Sequence, residues 1–295
     1  MCEQLDITRA AYYKWLHRDI PKMEQENEQI AQLIREYDDR FNHILGYRRM
    51  TLYINRLNNK HYSQNRVHRI MKVINIHSVI RRKRKKYQSS TPETTADNIL
   101  NRDFFAESPN RKWATDVTEF KWYEGPVVHK LYLSVILDLY DLSTVAWVVS
   151  RRNDNKLVLD TFAKAIQDNP NAKPIFHSDR GFQYTSKVFQ RKLQKQGMTQ
   201  SMSRVSRCID NGPTENFWSI IKSEMFYLTT FTDEDSLRNA IADYMNFYST
   251  ERMQERFKGK TPAEVRAEAL ATDVPAQYPI PVNKRIQKYK ARYAA

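Results

Sequence analysis

The chain has 295 residues, enough for two or three small domains, and a formal net charge of +14 at pH 7. This charge favours a polyanionic partner, most simply nucleic acid, although a basic protein with no special partner would carry the same charge. With only Cys2 and Cys208 and no run of about 18 apolar residues, the sequence excludes a disulfide-stapled scaffold and argues against a membrane or secreted protein.

The N-terminal region, residues 1–87, is predicted to be helical and to bind DNA. Its predicted helices occupy residues 5–16, 23–39 and 48–58 and a segment capped by Ser63. The first, with Thr8 as N-cap, resembles the recognition half of a helix-turn-helix, or else is an ordinary amphipathic helix. The last two resemble a DNA-binding helix pair, although a plain helical hairpin would have the same pattern.

A run of six cations, residues 81–86, ends this region. Because like charges repel, the run is not expected to form a packed element. It is either a solvated linker or an arm that binds DNA phosphates without regard to base sequence. The DNA-binding residues predicted within it are Arg81, Arg82, Lys83 and Arg84. Residues 88–107, which begin with a segment rich in Ser, Thr and Pro, are predicted to link it to a catalytic domain.

The predicted catalytic domain covers residues 108–229, and its first strand contains an acidic residue. β-Branched and aromatic residues alternate over residues 111–122, which predicts a strand. Asp116 would then lie on the opposite face from Trp113 and Val117. A carboxylate within a central strand is costly unless it is paired or binds a cation, so Asp116 is a candidate metal ligand.

A second acidic residue, Asp179, follows the apolar segment 173–176, which is predicted to be a buried strand. Asp179 would lie just past the C-terminal end of that strand, where ligand sites of open α/β sheets usually lie. The third, Glu215, follows a chain break at Gly212-Pro213. Thr214 is the predicted N-cap of a helix that holds Glu215 in its first turn.

The helix that begins near Glu215 is predicted to have one polar and one apolar side. Glu215 and Lys222 are seven positions apart, which places them about 20° from alignment on a helix. Their side of the helix would face the site. The residues expected to pack on the sheet from the opposite side are Phe217, Ile221 and Leu228.

The order of the remaining predicted elements gives the fold class. Strands at 128–139 and 143–149 follow the first, then helices at 155–167 and 185–196 alternate with the strand before Asp179 and a last strand at 198–202. This order is typical of a ribonuclease-H-like α/β fold. Residues 230–270 are predicted to be a helical C-terminal extension, in which Thr261 and Glu264 form a capping box, and residues 271–295 a basic tail. Asp138, at the end of the second strand, is expected to have a structural role.

Three carboxylates gathered on one sheet would repel each other unless hard cations neutralised them. Mg²⁺ fits this set, because it binds a few carboxylates and leaves room for phosphate oxygens. Two such ions about 4 Å apart can activate the attacking oxygen and stabilise the leaving oxygen of a phosphoryl transfer. We therefore expect Asp116, Asp179 and Glu215 to be both metal ligands and catalytic residues, with two Mg²⁺ ions for which Mn²⁺ could substitute.

The motifs around these residues resemble the Asp-Asp-Glu signature of bacterial insertion-sequence transposases of the IS-three family. They read Trp-x-Thr-Asp-x-Thr at 113–118, His-Ser-Asp-x-Gly-x-Gln-Tyr at 177–184 and Asp-Asn-x-x-x-Glu at 210–215. Between Asp179 and Glu215 lie 35 residues, the interval shared by this family and retroviral integrases. Lys222 also matches the family, as does Arg204 in the Ser-Arg pair of the loop.

The resemblance implies an integrase-like catalytic core and DNA cleavage followed by strand transfer at the ends of the element. Within the family, the chain resembles the product of the second reading frame. A further implied partner is the product of the upstream reading frame, to which this chain would be fused. The implied partners are double-stranded DNA, both element ends and target, and further copies of this chain, with no membrane. Lys222 and Arg204 would contact DNA. The protein would act in the bacterial cytoplasm, associated with the nucleoid.

Two other functions fit parts of the sequence. A non-catalytic DNA-binding regulator, or the remnant of a mobile element, would explain the charge and the N-terminal helices. A ribonuclease H or resolvase nuclease would explain the fold class. The helical N-terminal region and the basic arm argue against a bare ribonuclease H.

Overall fold

The computed structural model describes Cys2, Gln4 and residues 7–80, 96–204 and 208–280. The chain divides into two compact units, Met1–Val79 and Ile80–Ala295. The predicted arm with Arg81, Arg82, Lys83 and Arg84 lies outside the described residues, as do the predicted boundary at residue 87 and most of the predicted basic tail. Among the helices that are described, none combines the length and the apolarity that a membrane span requires.

The first unit is helical, as predicted. Its helices are α1 (Arg9–Leu16), α2 (Lys22–Arg40), α3 (Tyr47–Leu57) and α4 (Gln64–Val73). The predicted N-caps are confirmed, since the hydroxyl groups of Thr8 and Ser63 accept hydrogen bonds from the backbone amides of Ala11 and Arg66. Side chains from α2, α3 and α4 form one core whose fully buried members are Ile30, Ile34, Met50, Ile54 and Val67.

The second unit is built on one twisted five-stranded sheet within the described residues. Its strands are β1 (Lys112–Glu124), β2 (Val127–Asp138), β3 (Thr144–Ser150), β4 (Ile175–Ser178) and β5 (Thr199–Met202). The strand order is β3-β2-β1-β4-β5. The β1–β2 and β2–β3 pairs are antiparallel, whereas β1–β4 and β4–β5 are parallel. The predicted ribonuclease-H-like α/β fold is thereby confirmed.

Helices cover both faces of this sheet. They are α5 (Asn155–Asp168), α6 (Phe182–Thr185), α7 (Lys187–Lys195), α8 (Gly212–Glu224), α9 (Glu234–Thr250) and α10 (Pro262–Leu270). On one face, Phe120 and its neighbours pack against α8 and α9 through Phe217 and Ile241. On the other face, Trp113 and Phe176 belong to a core shared with α5 and α7. Alternation along β1 therefore sends successive side chains into two different cores.

Three details of the predicted helices are wrong. The helix expected over residues 185–196 is interrupted at Ser186, whose hydroxyl accepts a hydrogen bond from the amide of Phe189 and so starts α7. Asn211, not Thr214, is the N-cap of α8, because Pro213 already occupies its first turn. Leu228 lies beyond the end of α8 and is 40% exposed, so it does not pack on the sheet.

Asp138 lies in a buried polar cluster at the end of β2. Its Oδ2 accepts from the backbone amide of Asn110 at 2.6 Å and from Arg266 Nη2 at 3.2 Å. Arg266 comes from α10 and also reaches Asp141 at 3.4 Å. The cluster joins the C-terminal helix to the sheet, which supports the structural role expected for Asp138.

Candidate active site

The pairing of β1 with β4 brings the first two acidic residues together. The parallel register pairs Lys112 with Ile175 and Ala114 with His177. Continued by two residues, this register sets Asp179 beside Asp116. Neighbouring strands lie about 4.8 Å apart, so the backbones of the two residues come close together where β4 ends.

Asp179 is held at the point where β4 ends and α6 begins. Its Oδ1 accepts a hydrogen bond from the amide of Gly181 at 2.9 Å. A Cβ atom at position 181 would lie 3.0 Å from that same oxygen and 2.9 Å from Oε1 of Gln183. Because so short an approach would displace the carboxylate or the amide, glycine at 181 is part of the geometry of Asp179.

Asp116 is held by a residue from a different element. Its Oδ2 accepts a hydrogen bond from the indole Nε1 of Trp218 at 2.9 Å, and its Oδ1 accepts from the amide of Val117 at 2.8 Å. Trp218 lies on α8, the helix that also carries Glu215. Both oxygens of the half-buried Asp116 therefore have fixed donors.

Helix α8 is attached to β1 at two neighbouring residues. Asn211 donates from Nδ2 to the carbonyl oxygen of Thr115 at 3.2 Å, and Trp218 donates to Asp116. Glu215 lies between these two attachments, in the first turn of α8 as predicted, and its side chain is exposed. A carboxylate in this turn also gains from the positive end of the helix dipole.

The charges of the three carboxylates act on one another. The pKa of Asp116 is raised to about 7, chiefly by burial, next by the negative charge of Asp179 and least by that of Glu215, against the lowering effect of the Trp218 and Val117 hydrogen bonds. Burial also raises the pKa of Asp179. Among the described residues, no Lys or Arg forms an ion pair with Asp116 or Asp179. The site therefore concentrates negative charge that a cation would neutralise.

The oxygens of the three carboxylates do not all lie within 4.8 Å of one another; the described set that does is Asp38, Asp39 and His43. One ion could not contact all three acids in this arrangement. The chemistry of the donor set, hard oxygens in a desolvated cluster, nevertheless fits divalent cations that are shared between pairs of acids.

Two side chains of the second motif, His177 and Tyr184, are buried and neutral. His177 is fully buried, and its two ring nitrogens lie 3.0 Å and 3.2 Å from the hydroxyl oxygens of Ser201 and Ser203. Burial lowers the pKa of His177 to about 4, so the ring is neutral near pH 7. The hydroxyl group of Tyr184 lies 3.2 Å from that of Thr115, and burial raises its pKa well above the usual value. Neither group adds charge to the site.

Asp210, in the third motif, has a different environment from the three acids. It is fully buried and accepts from Nε of Arg102 at 2.6 Å and from Nε of Arg204 at 2.8 Å. The hydrogen bonds from these guanidinium groups hold the pKa of Asp210 well below its usual range against the opposing effect of burial. The guanidinium group of Arg204 is thus engaged in the fold, although its side chain is still 46% exposed.

Lys222 lies on α8 two turns beyond Glu215, at the spacing that the sequence predicts. It is half-buried, and its Nζ lies 5.5 Å from the ring centre of Phe120. The ammonium group therefore lies over the β1 face that carries Asp116.

Sequence reasoning identified the acids but not the groups that hold them. Gly181 and Asn211 lie inside the second and third motifs, and Trp218 lies three residues past the third, but no role was predicted for any of them. Trp218 is 102 positions from its partner Asp116, and a single sequence does not reveal such a pair.

Three family models match this chain. The family described as integrase core domain matches residues 106–208, and a second model with the same description matches residues 215–270. A family described as HTH-like domain matches residues 24–84. The integrase core matches contain all three acids.

The chain is also similar to individual proteins. It is 35% identical over 264 residues, 88% of this chain and 90% of the relative, to InsK of Escherichia coli K12, named as a transposase for insertion sequence element IS150. It is 30% identical over 178 residues, 60% of each chain, to the transposase InsF for insertion sequence IS3A of the same organism. A solved catalytic core domain of HTLV-2 integrase in complex with magnesium has 22% identity and a TM-score of 0.41, over 54% of this chain and 97% of that one. From the extent of the match to InsK, the chain belongs to the IS-three family of insertion-sequence transposases.

Proposed function

We propose that Asp116, Asp179 and Glu215 form the catalytic centre with which this transposase cuts DNA at the ends of its element and joins it to a target. One observation carries the proposal: the β1–β4 register and the hydrogen bonds from α8 to β1 bring together acids from β1, from the end of β4 and from α8. In agreement with this, the charges of Asp179 and Glu215 raise the pKa of Asp116. Solvated acids with no shared role would be expected to lie apart, because like charges repel.

The reaction has two steps of the same kind. In the first, water attacks the phosphorus at the end of the element; a new P–O bond forms, the bond to the 3′ oxygen breaks, and that oxygen leaves as a 3′-hydroxyl. In the second, the 3′-hydroxyl attacks a target phosphodiester, forms a new ester and releases another 3′-hydroxyl. Because each step exchanges one P–O bond for another, one site can perform both.

The donor set fits magnesium, and Asp116, Asp179 and Glu215 would hold two such ions. Divalent cations bound there would stabilise negative charge on the attacking and leaving oxygens. The contribution of the protein is positional: the β1–β4 register and the attachments of α8 fix the acids before any ligand arrives. Such preorganisation reduces the reorganisation that the reaction itself would otherwise require.

Basic residues around the centre would bind the DNA backbone. Lys222 is a candidate, since a lysine ammonium acts as a compact point charge toward a phosphate. To contact DNA, the guanidinium group of Arg204 would have to break its ion pair with Asp210, or bind a phosphate while keeping that pair. The arm at Arg81, Arg82, Lys83 and Arg84 would add affinity that is independent of base sequence and decreases with salt.

Assembly and location follow from the substrate. Joining two element ends to one target requires more than one catalytic centre, so we expect a homo-oligomer on DNA. Fusion to an upstream reading-frame product would extend the N-terminal DNA-binding region. DNA as substrate places the protein in the bacterial cytoplasm, with the nucleoid.

The test is Mg²⁺-dependent cleavage and joining of element-end DNA by the full chain, with Mn²⁺ as a second metal. Asp179→Asn should abolish both steps while DNA binding, measured by gel shift, is retained. Asp160→Asn is the matched control, because Asp160 is an acid on α5 whose side chain is 46% exposed and pairs only with Lys156 among the described residues. Equal activity in Asp179→Asn and the unaltered chain would refute the assignment. DNA binding without cleavage by the unaltered chain would favour a non-catalytic regulator.

A further inference from the structure

Trp218 connects two of the proposed catalytic acids. Its indole donates to Asp116 on β1, and Trp218 itself is three residues after Glu215 on α8. Residues three apart on a helix lie on the same face, so one side chain both touches the first acid and shares a helix face with the third. Trp218 is only 6% exposed, so the indole side of this hydrogen bond is shielded from water.

The role of Trp218 is not explained by packing alone. Its ring packs edge-on against Phe217 at 5.2 Å between ring centres, in the core between the sheet and the helices. A phenylalanine ring would fill most of that space. The indole N–H, however, donates to an acid that lies near two other acids. A hydrogen bond with a purely structural role could be made to a neutral acceptor instead.

Trp113 provides the comparison within the same domain. It is a fully buried tryptophan on β1, and its indole donates to the side-chain oxygen of Asn110, a neutral acceptor, at 3.2 Å. Its neighbours are core residues, with the ring of Phe176 at 6.5 Å between centres. Trp113 and Trp218 thus have the same side chain, similar burial and one indole hydrogen bond each, but only Trp218 contacts an acid of the proposed catalytic centre.

We propose that Trp218 is a positioning residue that fixes the orientation of the Asp116 carboxylate and thereby sets the affinity of the centre for its divalent cation. This inference rests on the proposed function of Asp116. The indole fixes the rotation of the carboxylate by binding Oδ2, while Asn211 holds the start of the same helix to Thr115. Hydrogen bonds from outside the ligand set typically change metal affinity or activity by about 10- to 100-fold.

The first test replaces Trp218 by phenylalanine in the full chain and measures the Mg²⁺ dependence of element-end cleavage. We expect the half-saturating Mg²⁺ concentration to rise about tenfold in Trp218→Phe, with the rate at saturating Mg²⁺ within about threefold of that of the unaltered chain. Trp113→Phe, the matched control, should leave the Mg²⁺ dependence unchanged. An unchanged Mg²⁺ dependence in Trp218→Phe, or a loss that high Mg²⁺ does not restore, would overturn the proposal.

The second test needs no substitution at Trp218 and does not depend on turnover. The chain has five tryptophans, so ¹⁵N-tryptophan labelling gives five indole resonances, of which that of Trp218 is identified by replacing Trp15, Trp113, Trp122 and Trp147 in turn. With element-end DNA present, the Trp218 resonance should move when Mg²⁺ is added at concentrations that support cleavage, and the Trp113 resonance should not. A Trp218 resonance that does not move under those conditions would contradict the proposal.

Asp116→Asn separates this inference from the proposed function. If Asp116→Asn cleaves DNA normally, the catalytic assignment itself is wrong. If Asp116→Asn is inactive while Trp218→Phe keeps the normal Mg²⁺ dependence, the catalytic assignment stands and only the role of Trp218 is refuted.

Discussion

Two pairs of aspartates at the same sheet, one fully buried and one half-buried, have opposite surroundings. Asp138 and Asp141 share the guanidinium group of Arg266, at 3.2 Å and 3.4 Å. Asp116 and Asp179 have hydrogen-bond donors but, among the described residues, no cationic side chain as an ion-pair partner. Burial raises the pKa of Asp116 and of Asp138 to about 7 each. The same cost of burying a carboxylate is therefore present in both places.

The difference lies in what offsets that cost. Arg266 supplies a permanent positive charge, so the cluster at Asp138 is complete within the chain and serves the fold. At Asp116 and Asp179 the positive charge must come from outside, so the cluster is suited to a ligand. Strongly perturbed groups occur at functional sites and in structural networks alike, and the presence of a built-in counter-ion distinguishes the two here.

The largest expected effect is the loss of activity when one of the proposed catalytic acids, Asp116, is replaced by a neutral residue. Asp116→Asn should lower the rate of element-end cleavage at least about a thousandfold, since the metal contribution to such reactions amounts to several kcal/mol. The rate is measured in single-turnover assays. Far-ultraviolet circular dichroism should show an unchanged fold, and a rate within tenfold of that of the unaltered chain would place Asp116 with the structural aspartates.

Removal of the built-in counter-ion should instead affect stability. Arg266→Met leaves Asp138 and Asp141 buried without their cation, which should lower the free energy of unfolding by about 3–5 kcal/mol. Urea unfolding of the full chain measures this. The control is Lys156→Met, whose i,i+4 pair with Asp160 on α5 has side chains 78% and 46% exposed and should contribute far less. Equal losses in the two variants would mean that Arg266 is not needed to offset the buried acids.

Without divalent cations, the raised pKa of Asp116, one of the proposed catalytic acids, should make the stability of the chain depend on pH. The folded pKa of Asp116, about 7, lies above its ordinary value of 3.8, so the folded chain binds this proton more tightly than the unfolded chain. The contribution of Asp116 to the free energy of unfolding is therefore lost as the pH rises from about 4 to about 7. Asp116→Asn should remove this loss and stabilise the cation-free protein at pH 7.5 by roughly 1–2 kcal/mol.

Melting temperatures in EDTA at pH 5 and pH 7.5 test this prediction. The difference between Asp116→Asn and the unaltered chain should grow with pH, and added Mg²⁺ should reduce it by stabilising only the unaltered chain. If the difference is the same at both pH values, the pKa of Asp116 is not raised in the folded chain and the prediction is wrong.

The smallest effect expected concerns the support of Asp179. Gly181→Ala introduces a Cβ at 3.0 Å from the carboxylate, which should lower cleavage about three- to tenfold as the oxygen is displaced. Gly46→Ala is the control, because a Cβ there meets nothing within 4 Å. If both variants cleave like the unaltered chain, the close approach at Gly181 has no bearing on the reaction.

Much of the fold was predictable because periodicity reports burial directly. The alternation around Trp113 predicted β1 and the side on which Asp116 lies, and Thr261 with Glu264 forms the expected capping box at α10. The exceptions depend on competition between local signals. Ser186 caps α7 and so moves its start from the expected Thr185 to Lys187, and Pro213 moves the start of α8 ahead of Thr214.

Motif spacing singled out the three acids, whose catalytic role stays a prediction, whereas it did not indicate their hydrogen-bond partners. Arg102 binds Asp210 across 108 positions, and Arg266 binds Asp138 across 128. Such contacts depend on how strands and helices are arranged in space, which a single sequence does not specify. Arg204 illustrates the limit: the sequence predicts a DNA contact, and the structure pairs its guanidinium with Asp210.

The parallel alignment of β1 with β4 also determines which mutations the centre can tolerate. The approach of Asp116 to Asp179 follows from the pairing of β1 with β4, because adjacent strands lie about 4.8 Å apart. Loops at either side could therefore lengthen without altering it. A single-residue deletion inside β1, between Lys112 and Asp116, would instead shift the pairing by one place and turn the aspartate toward the wrong side of the sheet.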